Sequence, residues 1–250
     1  MAKLTTNMNK NKLFKKINPK FLEGIAHRGL HNDKFTENGM NAFKNAIDHD
    51  VAFEYDIHLT KDNELVVCHD ENLKRTTGKE GIIEHLTLKE IRDNYRLLDG
   101  GVIPTLQEVI DFNAGRVPMV IELKVFEKNY KPLAKKTIEV LKQIENKRDV
   151  LLISFDPRSL WPLKKLGFIR SLLVAESDFY TWPFRFTVES IDIQDTLLKM
   201  PKVVRYAKKH FTNVWTIDSE VKLEKVLPYV DTVTYQFLDV DLVKNSLINK

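Results

Sequence analysis

The chain has 250 residues, 43% of them hydrophobic and 30% charged, and a formal charge of +4. This composition excludes disordered, collagenous and disulfide-stapled classes, and the length suits one large domain, since barrels commonly run to about 250 residues as one unit. No apolar run approaches the roughly 20 residues of a spanning helix, Cys68 is the single cysteine, and residues 1–20 lack the apolar stretch of a secretory signal, so a cytoplasmic location is expected.

The charge is uneven along the chain. Residues 1–20 carry Lys3, Lys10, Lys12, Lys15, Lys16 and Lys20 and no acid, so removing those six from +4 leaves −2 for residues 21–250. A nucleic-acid surface gathers Lys and Arg with aromatics on a structured face. This leader does not, so nucleic acid is not an expected partner. We expect residues 1–20 to be a disordered, solvated arm, with weak attraction to anionic membrane, about 1 kcal/mol per basic residue, as its alternative role. One folded domain, 21–250, follows.

In chain order, a strand pattern at 24–27 runs out into His27-Arg28-Gly29, and helical spacing follows at 38–48. Strand patterns at 52–59 and 64–69 are separated only by Thr60-Lys61-Asp62-Asn63. Helical patterns at 86–95 and 105–113 lead to a strand at 118–124 and a helix at 131–145. Strands at 150–155, 171–176, 190–193, 213–217 and 232–235 then come with helices at 157–166, 195–209 and 219–227, and an aromatic loop (Tyr180, Trp182, Phe184, Phe186) after 171–176. Such alternation predicts parallel β/α units. Nine strands are one too many for a closed (β/α)8 barrel. The Thr60–Asn63 link is far shorter than the dozen or more residues of a parallel crossover, so 64–69 must run antiparallel. It belongs to a small insertion after the second barrel strand, roughly 59–101, with Gly78, Gly81 and Gly100-Gly101 as breaks.

Active sites of such barrels lie at the C-terminal ends of the strands. Glu54, Asp56 and His58 share one face of the second strand by their spacing of two, and Glu122 sits inside the apolar run Val120-Ile121-Glu122-Leu123. Carboxylates converging from adjacent strands repel one another unless protons or cations offset them. An oxygen-only set selects a hard divalent cation, Mg2+, Ca2+ or Mn2+, over zinc; the alternative is neutralisation by Lys124 and Arg28. His27 and His69, the latter returned over the barrel mouth by the hairpin, suit general acid and base work, and Arg28 offers a planar fork for phosphate. Cys68 faces away from its neighbour His69 and reads as a packing residue. His58 reads as a rim residue bonded to the insertion, and His31, His49, His85 and His210 as surface or packing residues. Trp215 either closes the site against substrate or packs in the core. The aromatic loop shapes the substrate pocket or docks to a membrane or another subunit.

Taken together, Ile25-Ala26-His27-Arg28-Gly29, Thr36-Glu37-Asn38, Phe53-Glu54-Tyr55-Asp56, Leu59-Thr60-Lys61-Asp62, Val67-Cys68-His69-Asp70, Leu73-Lys74-Arg75-Thr76-Thr77-Gly78, Ile103-Pro104-Thr105-Leu106, Ile121-Glu122-Leu123-Lys124, Ser154-Phe155-Asp156 and Val214-Trp215-Thr216 resemble the glycerophosphodiester phosphodiesterase family. The resemblance implies a TIM barrel that hydrolyses a small glycerophosphodiester to glycerol 3-phosphate and an alcohol. It implies Glu54, Asp56 and Glu122 as metal ligands, and His27 and His69 as the acid/base pair. Arg28 and Lys124 would hold phosphate, Glu37 would shape the site, and the substrate's own glycerol hydroxyl would attack phosphorus. Two other readings are a phosphodiesterase for lysophospholipids or glycerophosphoinositol, and a non-catalytic lipid-head-group binding protein. Gly39, Asp218 and the segment Asp231–Gln236 depart from the family pattern, which bears on the start of one helix and on the last strand.

Overall fold

Eight parallel strands close on themselves, and their spacing explains which side chains reach the lumen. The computed structural model describes Lys10 and residues 13–250. The strands are β1 (Ile25–Ala26), β2 (Ala52–Leu59), β3 (Leu65–Val67), β4 (Met119–Leu123), β5 (Val150–Ser154), β6 (Ile169–Val174), β7 (Ser190–Gln194), β8 (Thr212–Ile217) and β9 (Thr232–Tyr235). Pairing runs β1-β9-β8-β7-β6-β5-β4-β2, and a further β1–β2 pairing closes the barrel. The ninth strand, β3, pairs antiparallel with the end of β2, with Ile57 opposite Val67 and Leu59 opposite Leu65. The fold is therefore a (β/α)8 TIM barrel with a hairpin-led insertion.

The helices are α1 (Met40–Asp48), α2 (Lys74–Thr77), α3 (Leu88–Asn94), α4 (Leu106–Asn113), α5 (Tyr130–Leu141), α6 (Pro157–Leu160), α7 (Pro201–Ala207), α8 (Glu220–Val226) and α9 (Val240–Ile248). Capping boxes start α3 and α4: Thr87 and Thr105 accept from the backbone of Glu90 and Glu108, whose carboxylates reach back. Three apolar clusters divide the labour. Phe53, Tyr55 and Ile57 point outward to the helices, Ala52 points into the lumen with Val120, Leu151 and Ile169, and Val66, Cys68, Leu73, Ile83 and Ile91 form a separate small core in the insertion.

The expectation for the leader changes at Leu13. Leu13, Ile17 and Phe21 join the lumen cluster with Ile25, Ala52, Val120, Leu151 and Ile169, from the first or second position of β1, β2, β4, β5 and β6, and Ile17 and Phe21 are wholly buried. Burial of such side chains stabilises by about 1.5–3 kcal/mol each, so residues 13–20 are a plug at the bottom of the barrel and the domain begins before residue 21. Asn18 fixes the plug through Asp149 at 2.8 Å, and Lys10 pairs with Asp231 at 2.8 Å. The rest of the expected disordered arm, residues 1–9, 11 and 12, lies outside the described residues.

Candidate active site

The pleat brings three carboxylates together. Asp56 on β2 stands beside Glu122 on β4 in register, and Glu54 shares the face of Asp56 two residues earlier. One oxygen from each lies within 4.8 Å of the others, and all three residues are buried. Lys124 Nζ lies 3.0 Å from Asp56 Oδ1 and 2.7 Å from Glu122 Oε1, and Arg28 Nε is 3.6 Å from Asp56 Oδ2. Arg28 adopts a left-handed backbone (φ 53°), which turns its N–H toward Glu54 Oε2 at 2.9 Å. Asn38, also left-handed at φ 57°, donates from Nδ2 to Asp56 Oδ2 at 2.9 Å. Glu54 Oε1 is buried and has no hydrogen-bond partner among the described residues.

The electrostatics split the three. Burial, then repulsion from Asp56 and Glu122, pushes Glu54 well above the ordinary carboxyl range. Burial pushes Glu122 up to about 7, with Lys124 opposing. For Asp56 burial is outweighed by Lys124, His69, Arg28 and the Asn38 donor, and its carboxyl is held far down. Lys124 and Arg28 thus offset Asp56, while of Glu54 only Oε2 is met, by the Arg28 N–H. A buried oxygen-only set with an unpartnered carboxylate oxygen fits a hard divalent cation.

Both histidines are held at Nδ1. His27 follows β1 and faces Gln236 Oε1 at 2.8 Å, so Nδ1 carries a proton and Nε2 a lone pair. Burial, then the Arg28 charge, lowers its pKa to about 3. His69 Nδ1 lies 2.6 Å from Asp70 Oδ1, and from there a chain of ion pairs circles the mouth. Arg75 joins Asp70 (2.7 Å) to Glu37 (2.7 Å), and Glu37 joins Arg28 (2.8 Å). Burial would raise Glu37, but Arg75 and Arg28 hold it down at about 2. His58 bridges Glu84 of the insertion (2.6 Å) and the His69 carbonyl (3.1 Å), which ties the insertion to β2.

Two cavities meet at this centre. An inner chamber of about 120 Å³ is lined by His27, Arg28, Glu54, Asp192, Trp215 and Thr234 among others. An outer groove of about 540 Å³ runs over the aromatic segment and is lined by Phe126, Asp156, Trp161, Asp178, Tyr180 and Phe184 among others. His69, Glu122, Lys124 and Phe155 border both. Trp215 packs edge-on against Phe155, with centroids 5.6 Å apart, at the chamber wall.

All the singled-out site residues, His27, Arg28, Glu37, Glu54, Asp56, His69, Glu122, Lys124 and Trp215, gather at this one end of the barrel. The sequence reading missed Asn38, Gln236, Arg75 and Asp70, which orient them. Of the four remaining histidines, His210 stacks on Tyr206 (3.7 Å), His85 lies edge-on to Phe126, His49 bonds its own helix, and His31 lies edge-on to Phe237. Cys68 is buried in the insertion core, and burial pushes its thiol up to about 12. Gly39 caps α1 without a side chain because a Cβ there would stand 2.9 Å from the Thr36 carbonyl oxygen.

A closed parallel barrel that gathers buried carboxylates, two cations and two oriented histidines at its C-terminal rim has the architecture of an enzyme with its active site there. The sequence model of the Glycerophosphoryl diester phosphodiesterase family matches residues 27–229, a span holding the carboxylate cluster, His27, His69, Arg28 and Lys124, and the chain belongs to that family. It is 31% identical over 220 residues to a glycerophosphodiester phosphodiesterase of Caldanaerobacter subterraneus, covering 81% of this chain and 88% of the relative. A phosphodiesterase of Oleispira antarctica, solved in complex with the product sn-glycerol-3-phosphate, superposes with a TM-score of 0.75 at 25% identity, covering 90% of this chain and 96% of that one. A human lysophospholipase D is 36% identical over 132 residues, covering 48% of this chain and 40% of that protein. No helix among the described residues is long and apolar enough to cross a membrane.

Proposed function

We propose that this enzyme hydrolyses glycerophosphodiesters to glycerol 3-phosphate and an alcohol, with Mg2+, Ca2+ or Mn2+ held by Glu54, Asp56 and Glu122. The observation that carries this reading is the unpartnered, buried Glu54 Oε1 within a three-carboxylate cluster flanked by Arg28, Lys124, His27 and His69. A bound cation of this kind stabilises charge on phosphate oxygens and lowers the pKa of a nearby hydroxyl.

The chain's own groups supply the rest. The Arg28 guanidinium and the Lys124 ammonium hold phosphate oxygens. His27 lines the inner chamber alone, whereas His69 borders both cavities, which supports His27 as the base on the glycerol side and His69 as the acid on the alcohol side. The 2-hydroxyl of the substrate's glycerol gives its proton to His27 Nε2 and bonds to phosphorus. The bond from phosphorus to the alcohol oxygen breaks, and that oxygen takes a proton from His69 Nε2. Burial, together with the Lys124 and Arg28 charges, lowers the His69 pKa, and Asp56 and Asp70 oppose that shift; a phosphodiester anion beside the ring acts in their direction. Water then opens the cyclic phosphate with the two histidines exchanging roles. No serine or cysteine nucleophile takes part.

The outer groove receives the alcohol. Its rim residues Glu71, Glu127 and Asp178 make no ion pair among the described residues, and Trp161, Tyr180 and Phe184 stand beside them. Carboxylates and aromatic faces together favour an ammonium-bearing alcohol. The test is release of glycerol 3-phosphate from glycerophosphocholine or glycerophosphoethanolamine with Mg2+ or Ca2+ and with EDTA. Turnover that EDTA abolishes is expected, and none with any divalent ion or head group overturns the reading. A second reading, action on a lysophospholipid or glycerophosphoinositol, has the exposure of Tyr180 (75%) and Phe186 (71%) in its favour. Rates on a lysophospholipid and on glycerophosphoinositol against glycerophosphocholine decide between them.

A further inference from the structure

The inner chamber has a second polar wall, which the reaction above does not use. It comes from the far side of the barrel. Asp192 on β7 stands beside Asn213 on β8 in register, and Asn213 Nδ2 donates to Asp192 Oδ1 and to Thr234 Oγ1 on β9, the latter at 2.8 Å. All three residues are at most 3% exposed. Asp192 and Thr234 line the chamber directly, and Asn213 braces them while its own Oδ1 finds no partner among the described residues.

Stability does not explain this arrangement. No Lys or Arg pairs with Asp192 among the described residues, and burial, with repulsion from Glu122, pushes its carboxyl up to about 7 against the Asn213 bond. Burying a carboxyl among lumen residues such as Ile153 and Leu173 is unfavourable, and an aliphatic trio of similar volume would pack at least as well. A ligand on this wall supplies the missing reason.

The chamber's size and position indicate which ligand. Its volume of about 120 Å³ is a little under the roughly 150 Å³ of a cavity that holds one benzene, enough for a three-carbon polyol fragment and too little for a fatty chain. Its mouth, at His69, Glu122, Lys124 and Phe155, is shared with the outer groove. A phosphorus held at that boundary sends the glycerol carbons inward, with the 2-hydroxyl at His27 and the terminal hydroxyl toward Asp192.

We infer that Asp192 and Thr234 bind the terminal primary hydroxyl of the substrate's glycerol and so set the enzyme's specificity for glycerol that carries no acyl chain. The inference rests on the phosphodiesterase reading above. Acylation of that hydroxyl would remove its proton donor and add a chain the chamber cannot hold.

The experiment compares kcat/KM on glycerophosphocholine and on its deoxy analogue, 2-hydroxypropyl phosphocholine, for the wild type and for Asp192→Leu, Asp192→Asn and Thr234→Val. The wild type is expected to favour glycerophosphocholine by about 10- to 100-fold, the scale of a buried polar group left unpaired. Asp192→Leu brings the ratio near one by slowing the glycerol substrate, Asp192→Asn keeps most of the discrimination, and Thr234→Val narrows it less than Asp192→Leu does. Equal wild-type rates on the two substrates, or an unchanged ratio in Asp192→Leu, overturn the inference while leaving the phosphodiesterase reading intact. If Asp192→Leu fails to fold by circular dichroism, the wild-type ratio and its narrowing in Thr234→Val decide. Absence of wild-type turnover on both substrates overturns the phosphodiesterase reading and this inference with it.

Discussion

The two walls of the barrel mouth are built on opposite electrostatic plans. On the side of β1, β2, β4 and the insertion, Lys124, Asp56, Glu122, Arg28, Glu37, Arg75 and Asp70 form one connected set of ion pairs, ending at His69. On the side of β5 to β9, the chamber presents Ile153, Leu173, Trp215 and Thr234, with Asp192 as the one carboxyl. In the proposed reaction this division orients an amphiphilic ion, with the phosphate against the charged wall and the uncharged glycerol carbons along the other. It also separates the consequences of mutation, since a change in a connected charge network propagates and a change in an isolated contact does not.

The sharpest break in that comparison comes from within the charged wall. Glu54→Gln is expected to lose both divalent-cation binding, followed by calorimetry with Mn2+, and turnover. His69→Ala is expected to lose turnover by about 10²–10⁴-fold, the usual scale for a general acid or base, while its Mn2+ affinity stays close to wild type. Full activity in His69→Ala would remove it from the mechanism, and equal loss of metal affinity in both variants would merge the roles assigned to them.

Arg75 tests whether the network acts as a unit. It touches neither the carboxylate cluster nor either cavity near the phosphate, yet it joins Asp70 to Glu37. Arg75→Ala is expected to lower kcat/KM by about 10- to 100-fold, the scale of lost orienting contacts behind a metal site. The same variant has an acid signature. Glu37 has a folded pKa of about 2 against an ordinary 4.5, so its contribution to stability is full above about 4.5 and is lost as pH falls through 2. Without Arg75 that depression shrinks, and the decline of melting temperature between pH 5 and pH 2, followed by circular dichroism, should be shallower than in the wild type.

Gly29 supports the wall from behind. Its φ is +79°, and an added Cβ would meet Ala42 Cβ at 2.9 Å and Phe43 at 3.0 Å. Gly29→Ala is therefore expected to destabilise by about 1–3 kcal/mol, as overpacking does, read as a lower melting temperature. An unchanged melting temperature would show that α1 shifts freely and that Arg28 is not fixed by its neighbour.

The walls also differ in how far they are legible in sequence. Alternation along β2 and the four-residue link before β3 suffice to place Glu54, Asp56 and His69, because pleat and connection length are local rules. The bonds that orient those groups join residues far apart: Gln236 holds His27 across 209 positions, and Arg75 reaches Glu37 across 38. Arg170 hid the start of β6, which begins at Ile169 rather than Ser171. A charged residue reads as a loop, but this guanidinium is buried against Glu189 and the Thr187 carbonyl. Helix α9 went unread although Asp239 caps it through Leu242, and the lysines of residues 13–20 concealed the i, i+4 spacing of Leu13, Ile17 and Phe21 that makes the plug. Asp192 had no motif to mark it; its meaning depends on Asn213 and Thr234, brought beside it only when the barrel closes.

The smallest expected effects lie on the outer rim of the neutral side, and there the two substrate readings part. Tyr180 lines the groove and Phe186 does not; both are highly exposed, so truncating either should leave the melting temperature nearly unchanged. Tyr180→Ala is expected to raise KM for glycerophosphocholine by about 2- to 5-fold with kcat unaltered, the scale of an exposed cation–π contact. Phe186→Ala is expected to change neither constant on that substrate, because its ring packs on Arg185 and Tyr206 outside the groove. A substrate with a fatty chain reverses this order, since an acyl chain excluded from the inner chamber must lie over exposed rings. If Phe186→Ala slows turnover of a lysophospholipid presented on vesicles and Tyr180→Ala does not, the neutral rim is a lipid-facing surface, and the groove is not the ammonium pocket its carboxylates describe.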